Sequence, residues 1–153
     1  MIRKIFLFLC CLLPWFITYL FHLDYDYYKE IILPFFAPPS IFYSIAWTII
    51  YFLIAITIYQ VVSSYKLREI PKNYLITLGI NFLFNQSYPL VFFGLKSHFL
   101  GVVSTIATFL STLFLYEETS LLNNKISKLL HPYIILSLFA TILSISIYIL
   151  NLG

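Results

Sequence analysis

Charged residues are scarce in this chain. Only 10% of the 153 residues are Asp, Glu, Lys or Arg, whereas 61% are hydrophobic. A soluble domain carries charge on about a quarter of its residues. This chain has too few charged residues to cover a surface that faces water. The composition therefore predicts an integral membrane protein whose partner is the lipid bilayer. The net charge of +3 is small, and no basic stripe with interleaved aromatic residues indicates a nucleic-acid partner.

Reactive and metal-binding groups are also few. Cys10 and Cys11 are adjacent inside an apolar run, so a structural disulfide between them is not expected. His22, His98 and His131 are scattered near the ends of apolar runs, and no spacing resembles a metal site. Ser, His and acidic residues form no nucleophile arrangement. We therefore expect no metal site and no required cofactor, and we assign no catalytic residue.

Long apolar runs dominate what remains. Five of them approach the ~20 residues needed to cross ~30 Å of hydrocarbon, and only a helix satisfies its own backbone in lipid. The sequence thus predicts an all-α integral membrane protein, a five-helix bundle in one domain over residues 1–153. Its predicted spans are about 5–22, 41–63, 74–95, 99–116 and 131–151.

The first apolar run is open to a second interpretation. Arg3 and Lys4 precede it, as basic residues precede the apolar region of a signal peptide. The run continues through Pro14 and Trp15 to Phe21, and no small-x-small cleavage site follows. We therefore expect a retained helix.

Basic residues are unequally distributed between the two sides of these spans. Lys29 and Lys96 fall on one side, and the other side receives Arg3, Lys4, Lys66, Arg68, Lys72, Lys125 and Lys128. By the positive-inside rule the N-terminus and the loops 64–73 and 117–130 face the cytoplasm, and the expected location is the cell membrane. No ionisable Asp, Glu, Lys or Arg lies within a span, which argues against a proton-coupled pump or an ion relay.

The third span carries a polar stripe. Asn81, Asn85, Tyr88 and Phe92 are spaced i, i+4, i+7 and i+11, which places them on one helical face. Because an amide in lipid is costly, this face should meet other helices or a cavity. For Asn81 we favour hydrogen bonds between helices. For Asn85, a packing role and a pocket role remain equally open.

The neighbouring spans suggest the entrance and the wall of a pocket, and a close contact between two helices. Pro38 and Pro39 precede the second span and suit the start of a helix, and Trp47 and Tyr51 share a face below them. Small residues permit close approach of helices. They lie along one face of the fourth span, at Gly101, Thr105, Thr108 and Thr112. In the fifth span, residues small enough to leave space beside a partner helix are Leu136, Ala140 and Ser144.

Three segments resemble the TspO/MBR family, also called the tryptophan-rich sensory protein, translocator protein or peripheral benzodiazepine receptor family. "PFFAPPSIFYSIAWTIIYFLIA" is similar to its second-helix pattern P-x-x-x-P-P followed by W-x-x-x-Y. "FNQSYPLVFFGLK" resembles N-x-x-W-x-x-x-F-F-G, with Tyr88 at the Trp position. "HPYIILSLFATILSISIYILN" resembles the fifth-helix pattern P-Y-x-x-W-x-x-F-A-x-x-L-N, with Leu136 at the Trp position and Ser144 at the Asn position.

The resemblance implies a five-helix bundle, commonly a homodimer, in which the first loop caps a pocket between the helices. It implies a membrane receptor, sensor or carrier for tetrapyrroles such as protoporphyrin IX or haem, for sterols in some members, and for other flat apolar molecules. The ligand-binding residues that it implies are Pro38, Pro39, Trp47, Tyr51, Asn85, Tyr88, Phe92, Leu136 and Ala140.

Two other functions remain in view. Some members of this family promote light-dependent porphyrin breakdown, in which the fifth-helix Trp takes part. Leu136 has no oxidisable indole, so a porphyrin-degrading enzyme is the less favoured alternative. A membrane assembly subunit without a ligand is the other. The physiological ligand, and the choice between transport and sensing, are left open by the sequence.

Overall fold

The structure, a computed structural model, describes residues 2–66 and 68–152, and every regular element within them is a helix. The expected all-α class is confirmed for these residues. In chain order the elements are α1 (Ile2–Leu12) with a 3-10 continuation (Leu13–Leu20), α2 (Tyr27–Glu30), α3 (Ser40–Ser64), α4 (Lys72–Pro89) with a π turn (Leu90–Gly94), α5 (His98–Leu122), α6 (Asn124–Ser127) with a 3-10 turn (Lys128–Leu130), and α7 (His131–Leu150).

Among the described residues, four helical segments are long and apolar enough to cross a membrane. They are Ile2–Leu20, Ser40–Ser64, His98–Leu122 and Asn124–Leu150. The predicted third span, 74–95, is not among them because α4 carries the amides of Asn81, Asn85 and Gln86 along its length. The predicted number of five spans is therefore not confirmed. The fourth predicted span is observed as α5, which continues past the predicted end at 116 to Leu122. A helix can extend beyond the membrane into the aqueous layer.

The helices pack around α5, which lies between α4 and α7, while α1 lies along α3. One buried cluster joins the 3-10 continuation of α1 to α3, α4 and α7 through Trp15, Tyr51, Tyr74 and Tyr133. Residues 21–39, which we call the lid, connect the first helical segment to α3 and contain α2. A second buried cluster, with Tyr28 and Phe92 among its members, joins the lid to α7 and the π turn.

Two prolines set the geometry around the cavity. Pro39 has an extended backbone (φ −56°, ψ 148°) and α3 starts at the next residue, close to the predicted start at 41. Pro89 lacks an amide hydrogen, and the ladder shifts after it to i+5 bonds such as Leu95 N–H to the Leu90 carbonyl at 3.0 Å. This π turn changes the direction of the side chains that follow, including Phe92 and Phe93.

Candidate functional site

A cavity of about 350 Å³ lies between α3, α4, α5 and α7, beneath the lid. Its size falls within the ~300–1,000 Å³ typical of small-molecule sites. Aromatic rings and small hydroxyl side chains supply most of its wall. The lining residues are Thr18, Tyr19, Tyr25, Asp26, Tyr28, Lys29, Ser40, Ile41, Tyr43, Ser44, Trp47, Tyr51, Asn85, Tyr88, Pro89, Phe93, Thr105, Thr108, Ser137, Ala140 and Leu143.

Five residues that were selected from the sequence lie together at this cavity: Trp47, Tyr51, Asn85, Tyr88 and Ala140. Trp47 is fixed by its neighbours, since its ring lies 6.0 Å from the ring of Tyr51 and 6.0 Å, edge to face, from that of Tyr133. Such contacts stabilise aromatic rings beyond the burial of their area. The indole therefore has a defined orientation before any ligand arrives.

The other four residues predicted to bind a ligand do not line the cavity: Pro38, Pro39, Phe92 and Leu136. Phe92 lies in the π turn, is fully buried and stacks on Tyr88 at 5.3 Å. Leu136 packs with the buried cluster around Tyr133. The Pro38 carbonyl accepts a hydrogen bond from the Tyr28 hydroxyl at 3.2 Å. Pro38 thus supports the lid, and Pro39 precedes the first turn of α3.

A hydrogen-bonded chain forms the deep end of the cavity. The Tyr51 hydroxyl donates to Asn85 Oδ1 at 3.1 Å, and Asn85 Nδ2 donates to the Tyr133 hydroxyl oxygen at 2.9 Å. Tyr133 donates to Asn81 Oδ1 at 3.0 Å. Asn81 Nδ2 then donates to hydroxyls of α5. We call this set the floor network: Tyr51, Asn81, Asn85, Gln86, Ser111, Thr112 and Tyr133.

The floor network answers the question that the sequence left open about the two amides. Asn81 is fully buried and bonds α4 to both α5 and α7 without lining the cavity, which agrees with the interhelical role favoured for it. Asn85 does both, since it bonds α3 and α7 and also lines the cavity. Neutral hydrogen bonds therefore hold Asn81 and Asn85 inside the bundle, whereas Oε1 of the neighbouring Gln86 is buried without a hydrogen-bond partner among the described residues.

The lid is attached to the helix ends by contacts of a different kind. Lys96 Nζ lies 2.8 Å from Asp24 Oδ2, and Tyr27 shares a hydrogen bond of 2.7 Å with His98 Nε2. The hydrogen bond from Lys96 holds the pKa of Asp24 below its ordinary value. On the opposite side, Asn151 pairs with the backbone of Ile32, accepting from its N–H at 3.0 Å and donating to its carbonyl at 2.9 Å.

Sequence reasoning missed two groups of lining residues. Thr105 and Thr108 of α5 were assigned to helix packing, yet both line the cavity. The lid contributes Tyr25, Asp26 and Lys29, which no helical periodicity can place. The tyrosine-rich segment "HLDYDYYKE" was the available signal, because tyrosine favours sites that are apolar on one side and wet on the other.

The described residues contain no cluster of three or more His, Cys, Asp or Glu side chains that could hold a metal ion. The cavity offers aromatic stacking surfaces, hydroxyls, the amide of Asn85 and, on the lid, the charged side chains of Asp26 and Lys29.

Apolar helices of membrane-spanning length, packed around a cavity, define the class as a helical integral membrane protein. Within that class, the model of the TspO/MBR family matches residues 6–150, and the chain belongs to this family. Membership supports a role as a membrane sensor or receptor.

Curated relatives agree with this assignment. The chain is 31% identical to the tryptophan-rich protein TspO of Bacillus cereus over 132 residues, covering 86% of this chain and 85% of the relative. It is 34% identical to the tryptophan-rich protein TspO of Archaeoglobus fulgidus, covering 82% and 80% respectively. It is also 28% identical to the uncharacterized membrane protein YtaB of Bacillus subtilis, covering 88% and 86%. The resemblance noted in the sequence is therefore confirmed.

Proposed function

We propose that this protein is a membrane receptor, sensor or carrier that binds a flat apolar ligand of the tetrapyrrole class, such as protoporphyrin IX or haem, in the cavity beneath the lid. The observation that carries the proposal is the lining itself. Trp47, Tyr88 and Phe93 present ring surfaces, whereas Asn85 places an amide at the deep end. Mostly apolar walls with a few polar groups are typical of sites for small organic ligands.

The distribution of polar groups supports one orientation for the ligand. An apolar macrocycle would stack on the indole of Trp47, with one edge facing the floor network. Lys29 and Asp26, both on the lid, are the charged residues of the lining. Ionised carboxylates of a porphyrin would therefore lie at the lid, beside Lys29 and water, because an unpaired charge deeper in the bundle is too costly.

We also propose the membrane arrangement that this function requires. The helical run from α4 through the π turn, residues 72–94, serves as the fifth span. Its low hydropathy is acceptable because the amides of Asn81 and Asn85 are hydrogen-bonded inside the bundle. The excess of basic residues at the N-terminus and in the loops 64–73 and 117–130 supports a cytoplasmic N-terminus in the cell membrane. Reporter fusions at residue 153 test it, and activity on the cytoplasmic side would contradict it.

Titration of protoporphyrin IX into the purified protein tests the binding proposal. The chain has two tryptophans, and Trp15 is only 2% exposed and does not line the cavity. A Trp15→Phe variant leaves Trp47 as the sole indole, and we expect saturable quenching of its emission. Trp47→Ala should weaken binding, followed by porphyrin absorbance, by about 1–3 kcal/mol, the range for burying a large apolar side chain.

A matched control lies on the same helix. Phe52 follows Tyr51 in α3, is 43% exposed and does not line the cavity, so Phe52→Ala should leave the affinity unchanged. Melting measured on the same samples separates binding from packing. If Trp47→Ala lowers the melting temperature while affinity per folded molecule is unchanged, Trp47 is a packing residue and the proposed site is wrong.

A further inference from the structure

The two halves of the lid differ in charge. Its first half holds every acidic and basic residue of the lid: Asp24, Asp26, Lys29 and Glu30. After Glu30, no Asp, Glu, Lys or Arg follows until Lys66. Residues 31–37, "IILPFFA", which we call the apolar half of the lid, are therefore uncharged although they lie in the connection between two spans. A connection that faces water is normally polar, so an apolar partner should cover this half.

The apolar half lies along the side of α7. The side-chain amide of Asn151 binds both the N–H and the carbonyl of Ile32, at 3.0 and 2.9 Å. The ring of Phe36 meets that of Phe139 edge to face at 6.3 Å, and Phe139 precedes Asn151 by about three turns of helix. Side chains of the apolar half thus reach below the level of Asn151, beside a helical segment that is apolar enough to cross a membrane.

This side of α7 is an outward-facing apolar row. Its members share one helical face and are all exposed: Ile135, Leu138, Ile142, Ile145 and Ile149. On a membrane-spanning helix such a row lies against acyl chains. Where the row ends at Ile149, a groove of about 420 Å³ separates it from Phe35 and Phe36. The hydroxyl in the groove, that of Ser146, donates to the Ile142 carbonyl at 2.9 Å, so the groove continues the apolar row onto the lid.

Phe35 is the exposed ring of the apolar half. Its side chain is fully exposed, and its ring contacts that of Phe36 at 5.4 Å. A Phe ring gains free energy when it leaves water, and a ring at this position makes no contact with the protein core to provide that gain. The position is favourable when the surroundings of the ring are apolar.

The backbone of residues 32–39 fits the border between acyl chains and headgroups. Three of these residues have no N–H because they are prolines: Pro34, Pro38 and Pro39. The N–H of Ile32 is bonded to Asn151, and that of Ala37 to the Pro34 carbonyl at 2.9 Å. The other donors have no partner among residues 2–66 and 68–152: Leu33, Phe35 and Phe36. Because lipid tails cannot accept hydrogen bonds, these donors require headgroups or interfacial water.

We propose that the apolar half of the lid inserts into the lipid leaflet on its own side of the membrane. The ring of Phe35 lies among the acyl chains, and the backbone lies at the level of the headgroups, as in other interfacial segments. Lipid thus fills the groove and holds this edge of the lid. The opposite edge is held by the exposed pair of Asp24 and Lys96. The inference goes beyond the proposed function and holds whether or not the cavity binds a ligand.

Collision rates of a nitroxide spin label test the insertion on the full chain in phospholipid nanodiscs. Cys10→Ser and Cys11→Ser remove the two native thiols, and Phe35→Cys carries the label. Molecular oxygen concentrates among acyl chains, whereas a nickel chelate stays in water. We expect the ratio of oxygen to nickel collisions at residue 35 to exceed that of a water-facing label several-fold.

Two matched positions calibrate that ratio. Glu30→Cys labels an exposed position of the charged half of the lid, and Ile142→Cys labels the outward row of α7. The ratio at residue 35 should resemble that at residue 142. A ratio equal to that at residue 30 would mean that Phe35 lies in water, and would overturn the proposal.

A second copy of the chain is the other apolar partner that this experiment detects. It would shield the label at residue 35 from oxygen and nickel alike. It would also produce spin–spin broadening that disappears when labelled protein is diluted with unlabelled protein. That pair of results would replace the lipid leaflet by a protein interface and overturn the proposal.

Hydrogen exchange in nanodiscs tests whether insertion holds the lid. The reporters are the bonded amides of Ile32 and Ala37. Phe35→Asp should accelerate their exchange about tenfold, because a charged side chain leaves the acyl chains and the gain from burying the ring is lost. Phe35→Leu stays apolar and should leave exchange unchanged. Phe35 is fully exposed, so neither change disturbs the core. Equal exchange in the two variants would overturn the proposal.

Discussion

The floor network and the lid close opposite ends of one cavity with hydrogen bonds of similar length in opposite surroundings. At the floor, Asn81 and Asn85 are 0% and 4% exposed and their partners are neutral. At the lid, the side chains of Lys96 and Asp24 are 46% and 44% exposed, and both are charged. Bond length therefore says little about the contribution of each contact to stability.

Surroundings decide that contribution. A buried group that loses its partner costs about 1–3 kcal/mol because water does not replace the bond. An exposed ion pair contributes little, since water and salt compete for both charges. The cavity thus has a floor held by buried hydrogen bonds and a lid whose exposed ion pair costs little to break. Variants of each region, and of the helix contact between Gly101 and Phe92, test this difference.

The largest effect should come from the close contact between Gly101 and Phe92. A Cβ atom at Gly101 would lie 3.0 Å from Phe92 and 3.5 Å from the Ser144 hydroxyl, and Phe92 in turn contacts Tyr27 of the lid. Gly101→Leu should destabilise the bundle by about 3 kcal/mol, the upper range for overpacking. Thermal melting in detergent measures it.

Gly79→Leu is the control for that experiment, because nothing lies within 4 Å of a Cβ atom at Gly79. It should leave the melting temperature unchanged or raise it, since glycine is a poor helix former. Equal effects of the two changes would show that Gly101 is not at a close contact.

A smaller effect, confined to the floor, should follow from Asn81→Leu. Tyr133 would lose its acceptor and Nδ2 of Asn81 its two hydroxyl partners. We expect a loss of about 1–2 kcal/mol in the free energy of unfolding, since buried hydrogen bonds in membrane proteins seldom exceed this range. The lid should open at its original rate. Asn124→Leu, at an exposed position of α6, is the control, and a similar loss there would remove the distinction.

The smallest effect should come from the lid. Asp24→Asn removes the ion pair with Lys96, so hydrogen exchange of the backbone over residues 24–31 should accelerate by at most a few-fold, with unchanged melting. In the intact protein the pair is fully present above pH about 4, the ordinary Asp value. Because Lys96 lowers the pKa of Asp24, exchange should rise only as the pH falls through that lowered pKa.

Asp26→Asn provides the lid with an internal control. Asp26 pairs with Lys29 of the same segment at 2.6 Å and therefore does not attach the lid to the bundle. Exchange should be unchanged in this variant and should keep its pH dependence. If Asp24→Asn retains the same pH dependence, another group controls the lid.

Much of the architecture could be predicted because membrane helices are specified locally. Length and hydropathy identify four spans, and Pro38 and Pro39 mark the first residue of α3 to within one position. The polar stripe of α4 predicts that Asn81 and Asn85 face the interior, since amides avoid lipid. The span predicted over 74–95 was counted from the same hydropathy, but the amides and Pro89 lower the hydropathy of α4.

Tertiary structure decided what local periodicity cannot carry. An α-helical spacing puts Phe92 in line with Asn85 and Tyr88, and its ring does stack on Tyr88, but contact with Tyr27 of the lid leaves it buried and outside the cavity lining. The lid residues are held at the cavity by an ion pair and hydrogen bonds to residues that are distant in the sequence: Lys96, His98 and Asn151.

The sequence alone therefore determined the class, the family and the polar face of α4, because these depend on composition and on the period of one helix. The hydrogen bonds of the Asn85 amide depend instead on Tyr51 and Tyr133. These belong to other helices, and only their packing brings them to the same amide.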